Sequence, residues 1–394
     1  MSVRKSTITN ENILNQVTGF REALVKKQEL EQSGTDFRDQ RGQVRRTVEG
    51  IHPKRLKLRV VGITTDTPST KTLRLAATDG RRLPPFQAGQ YINLFTTVQG
   101  VATARPYAIS SSPENLEYYD LTVKKLTGGF VSIYLVDEVE VGQLFESTGP
   151  MGTFHYNPLF HGDELVFLAG GSGIAPAISM LRIVLALKQP LRFHFVYNNS
   201  FEDDVIFAAE LRELAAKHEN FALTELVSRP TADFTGRRGH LSLELLRNVL
   251  PDPESRMYYI CGPTPFNEHC VRLLGELNVK SRRVLVEGNG PPRNPDQLPG
   301  WPSDVSVKDT VKVSVRGRGE FQAQVGEPLL NSLERNGYAT ENACRSGECS
   351  LCRVKLRSGN VYNPPEALIR KSDKRFGWVH SCVAFPVTDV EIQL

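Results

Sequence analysis

Four cysteines near the C-terminus constrain this 394-residue chain more than any other feature. Cys344, Cys349 and Cys352 stand in C-x4-C-x2-C spacing, and Cys382 follows after a gap of 29 residues. A loop with three thiolates so spaced can wrap one side of a small inorganic cluster while a distant fourth closes the other side. That is the plant-type arrangement around a [2Fe–2S] cluster. Zinc sites favour pairs of cysteines two to four residues apart, which this triplet with a lone fourth cysteine does not form. Gly347, inside the loop, suits the sharp backbone reversal that such wrapping demands. The C-terminal segment is therefore expected to fold around a one-electron carrier.

The chain is too long for one ordinary domain. Its 40% hydrophobic and 23% charged residues are those of a soluble globular protein. Beyond the four cysteines only Cys261 and Cys270 remain, a scarcity that points to a reducing compartment, the cytoplasm. The N-terminus is polar and lacks the apolar core of a secretory signal. The longest apolar stretch, 165–187, is broken by Gly170, Gly171, Gly173, Pro176 and Arg182, and reads as a strand plus a helix and not as a membrane span. Residues 1–60 hold 13 Lys/Arg against 7 Asp/Glu within a net charge of +4. A solvated basic tail explains that excess ahead of nucleic-acid binding.

Texture divides the chain. Residues 1–52 form an extension in which Ile13, Leu14, Val17, Phe20 and Leu24 fall on one helical face. Short alternating runs over 53–160 predict an antiparallel β-barrel. Over 161–290 strand-like and helical stretches alternate, which predicts a parallel sheet with crossover helices. Residues 291–303 carry five prolines and read as a semi-rigid linker. The cysteine-bearing segment, 304–394, follows.

Four strings carry chemistry upstream of the cysteines. In R-P-Y-A (105–108) an Arg two residues before a Tyr on a strand can bind a phosphate while the ring covers a flat heterocycle. G-G-F-V-S (128–132) offers backbone N–H groups and a hydroxyl at a helix start, a second phosphate contact. A-G-G-S-G-I-A-P (169–176) runs from a strand into a helix, and its glycines let a pyrophosphate approach the helix N-terminus. It lacks G-x-G-x-x-G spacing, so the dehydrogenase fingerprint does not apply. I-C-G-P (260–263) ends the last apolar strand, at the sheet edge where open α/β sheets bind ligands.

In this order the strings resemble the ferredoxin–NADP reductase superfamily, and with the C-terminal cysteines they resemble the phthalate dioxygenase reductase arrangement and the reductases of hybrid-cluster proteins. The resemblance implies a multidomain fold: a flavin-binding antiparallel β-barrel, an NAD(P)-binding α/β domain and a β-grasp (α+β) ferredoxin domain. It implies that Arg105 holds the flavin phosphates, that Tyr107 lies against the isoalloxazine between Pro106 and Ala108, and that Thr122, Val123, Lys124, Gly129, Phe130, Val131 and Ser132 complete the flavin site. Gly170, Gly171, Gly173 and Ile174 would receive the nucleotide, with Cys261, Gly262 and Pro263 beside the nicotinamide and Asp204 ahead of the adenosine pocket. Cys261 and Tyr107 are the side chains expected at the reacting atoms. Ser228 and Arg229 could meet a 2′-phosphate, which leaves NADH and NADPH both open. G-P-M-G-T-F (149–154) resembles FAD-using members and places FAD ahead of FMN. The sequence departs from the family pattern at Ala108 and Ala175, and at Glu287, Gly288 and Asn289, where an acidic-x-aromatic segment is usual. The implied activity is electron transfer from NAD(P)H through the flavin to the [2Fe–2S] cluster and on to an acceptor protein, an oxygenase component. The alternative is a non-catalytic relay subunit of a larger redox complex.

Overall fold

The computed structural model describes residues 20–32, 42–51, 53–188, 190–288, 290–292, 294–365 and 367–394. Residues 1–53 and 54–394 form two separate units. In the first, helices span Phe20–Gln32 and Gln43–Ile51. Val44, Val48 and Ile51 recur at helical spacing on the second, and all three are exposed. The expected apolar face at Ile13, Leu14 and Val17 lies outside the described residues, as does the Phe20 side chain.

Among the described residues the second unit contains three large sheets and one two-stranded ladder. Strands β1 (Leu56–Thr67), β2 (Thr70–Ala77), β3 (Tyr91–Val98), β4 (Val101–Ala108), β5 (Tyr119–Lys124) and β6 (Leu144–Ser147) run in the order β4-β3-β6-β1-β2-β5. Every named pairing is antiparallel, and an Ile109–Leu121 bridge curls one edge towards the other. Alternation builds the barrel core. On β1, Leu58 and Val60 point inward while Lys57 and Arg59 face solvent.

The next sheet is wholly parallel: β7 (Glu164–Gly170), β8 (Arg192–Asn199), β9 (Phe221–Val227), β10 (Met257–Cys261) and β11 (Val284–Glu287), ordered β11-β10-β7-β8-β9. Helices cover both faces, so β7 and β10 are apolar on both sides and almost entirely buried. Leu165, Phe167 and Ala169 join one core, and Val166 and Leu168 the other. Phe167 touches the rings of Phe154, Phe195 and Tyr259, and truncating it to Ala would cost on the order of 3–5 kcal/mol.

The third sheet joins β12 (Thr310–Val315), β13 (Gly319–Gln324), β14 (Arg353–Ser358), β16 (Trp378–His380) and β18 (Val390–Gln393) in the order β13-β12-β18-β14-β16, beside a small ladder of β15 (Val361–Tyr362) and β17 (Phe385–Pro386). The helix Leu329–Arg335 lies across this mixed sheet, burying Leu329 and Leu333 in a core with Val313, Val354 and Ile392. This is a β-grasp. Near the end of the proline-rich segment the Trp301 ring packs edge-on against Tyr362 at 5.1 Å.

Candidate cofactor sites

The parallel sheet changes direction at β7. The chain moves outward one way through β8 and β9, then returns to place β10 and β11 on the other side. A crevice must open where the loops after β7 and β10 diverge, the switch point at which such sheets bind ligands. The residues picked out by sequence meet there. Gly170, Gly171, Gly173 and Ile174 follow β7, while Cys261, Gly262 and Pro263 end β10, with Cys261 in register with Ala169. Gly173 approaches so closely that a Cβ on it would run into the Cys261 carbonyl. Tyr197 on β8 donates to the Gly171 carbonyl at 3.1 Å and steadies the loop. Cys261 is buried. Ser228 and Arg229 sit just past β9, their backbone N–H groups bonded to the Asn199 and Ser200 carbonyls, with the Arg229 side chain exposed.

On the barrel, β4 pairs with β3 so that Arg105 opposes Leu94, Pro106 opposes Asn93, Tyr107 opposes Ile92 and Ala108 opposes Tyr91. Thr122 on β5 is buried in a chain of hydroxyls, 2.9 Å from both Thr72 and Ser110, and Val123 points into the barrel core. Gly129 precedes the helix Phe130–Asp137. Ser132, one turn in, accepts the Leu126 N–H at 3.1 Å and closes the turn, while Val131 is buried and Phe130 exposed. Lys124 reaches across to the nucleotide-binding sheet. Its ammonium pairs with Asp204 at 2.6 Å, and Asp204 also accepts from Thr67 at 2.6 Å and Ser69 at 2.7 Å. The carboxylate of Asp204 thus fastens the parallel sheet to the barrel. Burial works against its charge, but the bonds from Lys124, Ser69 and Thr67 outweigh that and hold its pKa below the ordinary value.

The four cysteines of the β-grasp fall two by two. Cys344 lies within hydrogen-bonding reach of Cys349, and Cys352 within reach of Cys382. Among the described residues no three His, Cys, Asp or Glu side chains converge on one ion. Two thiol pairs offer two ligands to each of two irons, so the residues fit a [2Fe–2S] cluster. Gly347 takes φ +85° and is pressed by Val383 and Ala367, so a side chain there would be both strained and crowded. The Gly347 carbonyl lies 2.8 Å from His380 Nδ1; as a carbonyl only accepts, that nitrogen carries the proton.

Several residues meet at the junction of the three sheets, a meeting that the sequence did not disclose. Gly288, just past β11, packs against Ser346 of the cysteine loop. Asn93 on β3 donates to the Asn342 carbonyl at 2.7 Å. Arg345, Glu334 and Thr103 join the loop, the β-grasp helix and β4. Glu287 neighbours Cys261 across the β10–β11 ladder, and burial followed by the nearby Glu348 carboxylate pushes its pKa up to about 8. A cavity of about 550 Å³ runs along this junction, lined by Val286, Gly288, Ser346, Glu348 and Leu368 among others. Only R-S-G between the first two cysteines marked Arg345 as belonging to the cluster loop.

Comparison with known proteins finds three family domains in this chain. Residues 57–156 match the oxidoreductase FAD-binding domain, 167–272 the oxidoreductase NAD-binding domain and 313–387 the 2Fe-2S iron-sulfur cluster binding domain. The chain is 30% identical over 318 residues to the glycine betaine monooxygenase reductase subunit of Pseudomonas aeruginosa, covering 78% of this chain and 87% of that one. It is 30% identical over 334 residues to NADH oxidoreductase HCR of Escherichia coli, covering 85% and 96%. Among solved structures, phthalate dioxygenase reductase has the same fold, with a TM-score of 0.63 at 20% identity over 86% of this chain and 98% of that chain. FAD, a nicotinamide nucleotide and a [2Fe–2S] cluster are the cofactors of the three domains. No helix among the described residues is long and apolar enough to cross a membrane.

Proposed function

The chain belongs to the ferredoxin–NADP reductase superfamily, in the branch with a C-terminal [2Fe–2S] domain, and on that premise we propose that it is the reductase component of an oxygenase system in the cytoplasm. One observation carries the outlet of the relay. The cysteine loop touches both other domains, through Ser346 on Gly288, Asn342 on Asn93 and Arg345 on Thr103, while Leu351 in the same loop is exposed. Electrons that arrive from the other two domains can therefore leave only a few residues away. The printed name of the Pseudomonas relative, a monooxygenase reductase subunit, supports an oxygenase as acceptor.

The side chains divide the work. Bound FAD and cluster supply the conversion of a two-electron hydride donation into single electrons. Arg105 holds the flavin phosphate, Tyr107 covers the ring, and the 128–132 turn offers N–H groups to the second phosphate. Gly170, Gly171, Gly173 and Ile174 take the pyrophosphate of the nicotinamide nucleotide, and Cys261 borders its reacting ring. Cys344, Cys349, Cys352 and Cys382 ligate the irons. Residues 53–160, 161–290 and 304–394 are the corresponding domains.

The loaded reductase mixed anaerobically with NADH and a purified Rieske-type oxygenase component tests the assignment. Wild type should bleach the oxygenase cluster within a turnover, and Cys352→Ser should not. Equal bleaching by both would mean that electrons leave from the flavin, and would overturn the proposed route.

A further inference from the structure

Two guanidinium groups from different domains share one carboxylate at the barrel–ferredoxin boundary. Arg345 and Glu334 belong to the β-grasp and are 5% and 7% exposed; Arg105 belongs to β4 and is 25% exposed. Arg345 Nη2 pairs with Glu334 Oε1 and also donates to Thr103 Oγ1 at 3.2 Å, while its Nη1 donates to Asn331 Oδ1 at 3.0 Å. The other carboxylate oxygen, Oε2, accepts from Thr103 Oγ1 at 2.8 Å. Arg105 Nη1 donates to Thr103 Oγ1 at 2.6 Å and to the Ala104 carbonyl at 2.8 Å, and stands 3.8 Å from Oε2. The Thr103 hydroxyl, with one proton given and two accepted, is saturated.

The charges do not cancel. Arg345 is paired with Glu334 and lies beside the cluster cysteines Cys352 and Cys382, whereas partly buried Arg105 has only the far oxygen of Glu334 at 3.8 Å, and a charge withdrawn from water is costly unless it is paired. Burial, followed by the approach of Arg345, pushes the Arg105 pKa down to about 10. Arg105 therefore has room for one more anion. Glu334 is the only carboxylate that could satisfy Arg105 from within this group, and it is already occupied by Arg345 and Thr103.

We propose that Arg345 is a positioning residue for the flavin: by engaging Glu334, which would otherwise compete for Arg105, Arg345 of the cluster loop keeps Arg105 available to the flavin phosphate. The ferredoxin domain is then part of the flavin site, and flavin affinity depends on the docking of the cluster loop. The inference rests on the assignment of Arg105 to the flavin phosphate made above.

FAD binding to the full chain, read from quenching of flavin fluorescence, tests it through a pattern that simple loss of packing cannot produce. In Arg345→Met the released Glu334 captures Arg105, and FAD affinity should fall by about tenfold or more. Glu334→Gln removes the competitor and should bind FAD at least as tightly as wild type. The double variant should return to within about threefold of Glu334→Gln, because the two substitutions are strongly coupled. The visible spectrum of the cluster checks that each variant has assembled. If Arg345→Met does not assemble, Glu334→Gln decides alone, and a loss of FAD affinity there overturns the proposal. An Arg345→Met with wild-type affinity, or a double variant no better than Arg345→Met, overturns it too. Arg105→Gln separates the two layers. Unchanged FAD binding in that variant overturns the assignment of Arg105 itself, whereas a large loss there beside an unchanged Arg345→Met overturns only the role given to the ferredoxin domain.

Discussion

Replacing Asp204 with Ala should loosen the nucleotide domain from the barrel. Its carboxylate accepts three bonds, from Lys124, Thr67 and Ser69, all between 2.6 and 2.7 Å and all from the barrel side. Hydrogen bonds to a charged group contribute about 1.5–3 kcal/mol each at full burial. Here the Lys124 and Asp204 side chains keep 19% and 15% of their exposure, so water can take over part of each bond after the substitution. The net cost expected is about 2–3 kcal/mol. It should appear in urea unfolding followed by flavin release, the signal closest to this interface. Adding Lys124→Met to Asp204→Ala should cost little more, with a coupling of about 1–2 kcal/mol. The pH dependence has a definite sign. The folded-state pKa of Asp204 is depressed, so its contribution is present above the ordinary value of 3.8 and is lost as pH falls below it. The gap between wild type and Asp204→Ala should be flat from pH 6 to pH 8 and close in acid. A gap that is absent at neutral pH, or additive behaviour of the two substitutions, would refute the assignment of this pair as the fastening between domains.

Other outcomes follow from the same geometry. Gly173→Val must push the β7 loop away from the Cys261 carbonyl, an overpacking cost of about 1–3 kcal/mol; nicotinamide nucleotide affinity should fall more than tenfold while bound flavin, measured by absorbance, is retained. Cys352→Ser should lose the visible spectrum of the cluster yet keep NADH oxidation with ferricyanide, which draws electrons from the flavin. Ala108→Ser adds a hydroxyl on β4, and one hydrogen bond of about 0.5–1.5 kcal/mol would move the two-electron flavin midpoint by on the order of 10–30 mV in a redox titration. Cys270 is fully buried and burial raises its thiol pKa, so iodoacetamide should leave it unmodified in the native protein, as read by mass spectrometry.

What the sequence disclosed depended on how locally each feature is encoded. The C-x4-C-x2-C triplet sits on one loop, and the 169–176 glycines with the 260–263 turn each end a strand whose apolar run is plain. Spacing alone locates such features. Strand order also matters, and the alternation of strands and helices predicts a parallel sheet without saying that β7 lies beside β10. The contacts between domains were not legible. Thr103 meets Glu334 across 231 positions, and Asp204 meets Thr67 across 137. Each of these residues is an ordinary polar side chain in an unremarkable local context, and only folding gives it a partner. The resemblance set Asp204 ahead of the adenosine pocket, and the fold adds its three partners on the barrel side. Ser132 shows the converse: the sequence offered its hydroxyl to a phosphate, whereas in the fold it closes its own turn by accepting the Leu126 N–H.

Near the end of the proline-rich segment Trp301 packs against Tyr362 and Phe385, and the Pro299 carbonyl accepts the Tyr362 hydroxyl at 3.1 Å. With that anchorage, about a dozen residues of chain join the second and third domains. A separate ferredoxin must find its reductase by diffusion, at a rate set by the concentration of both. A carrier on so short a leash is presented to its electron donor at an effective concentration in the millimolar range. Internal transfer in this chain should therefore be indifferent to dilution, and only the final hand-over should slow as the protein becomes scarce. A cell could thus keep the reductase at low abundance and set the flux with the amount of acceptor.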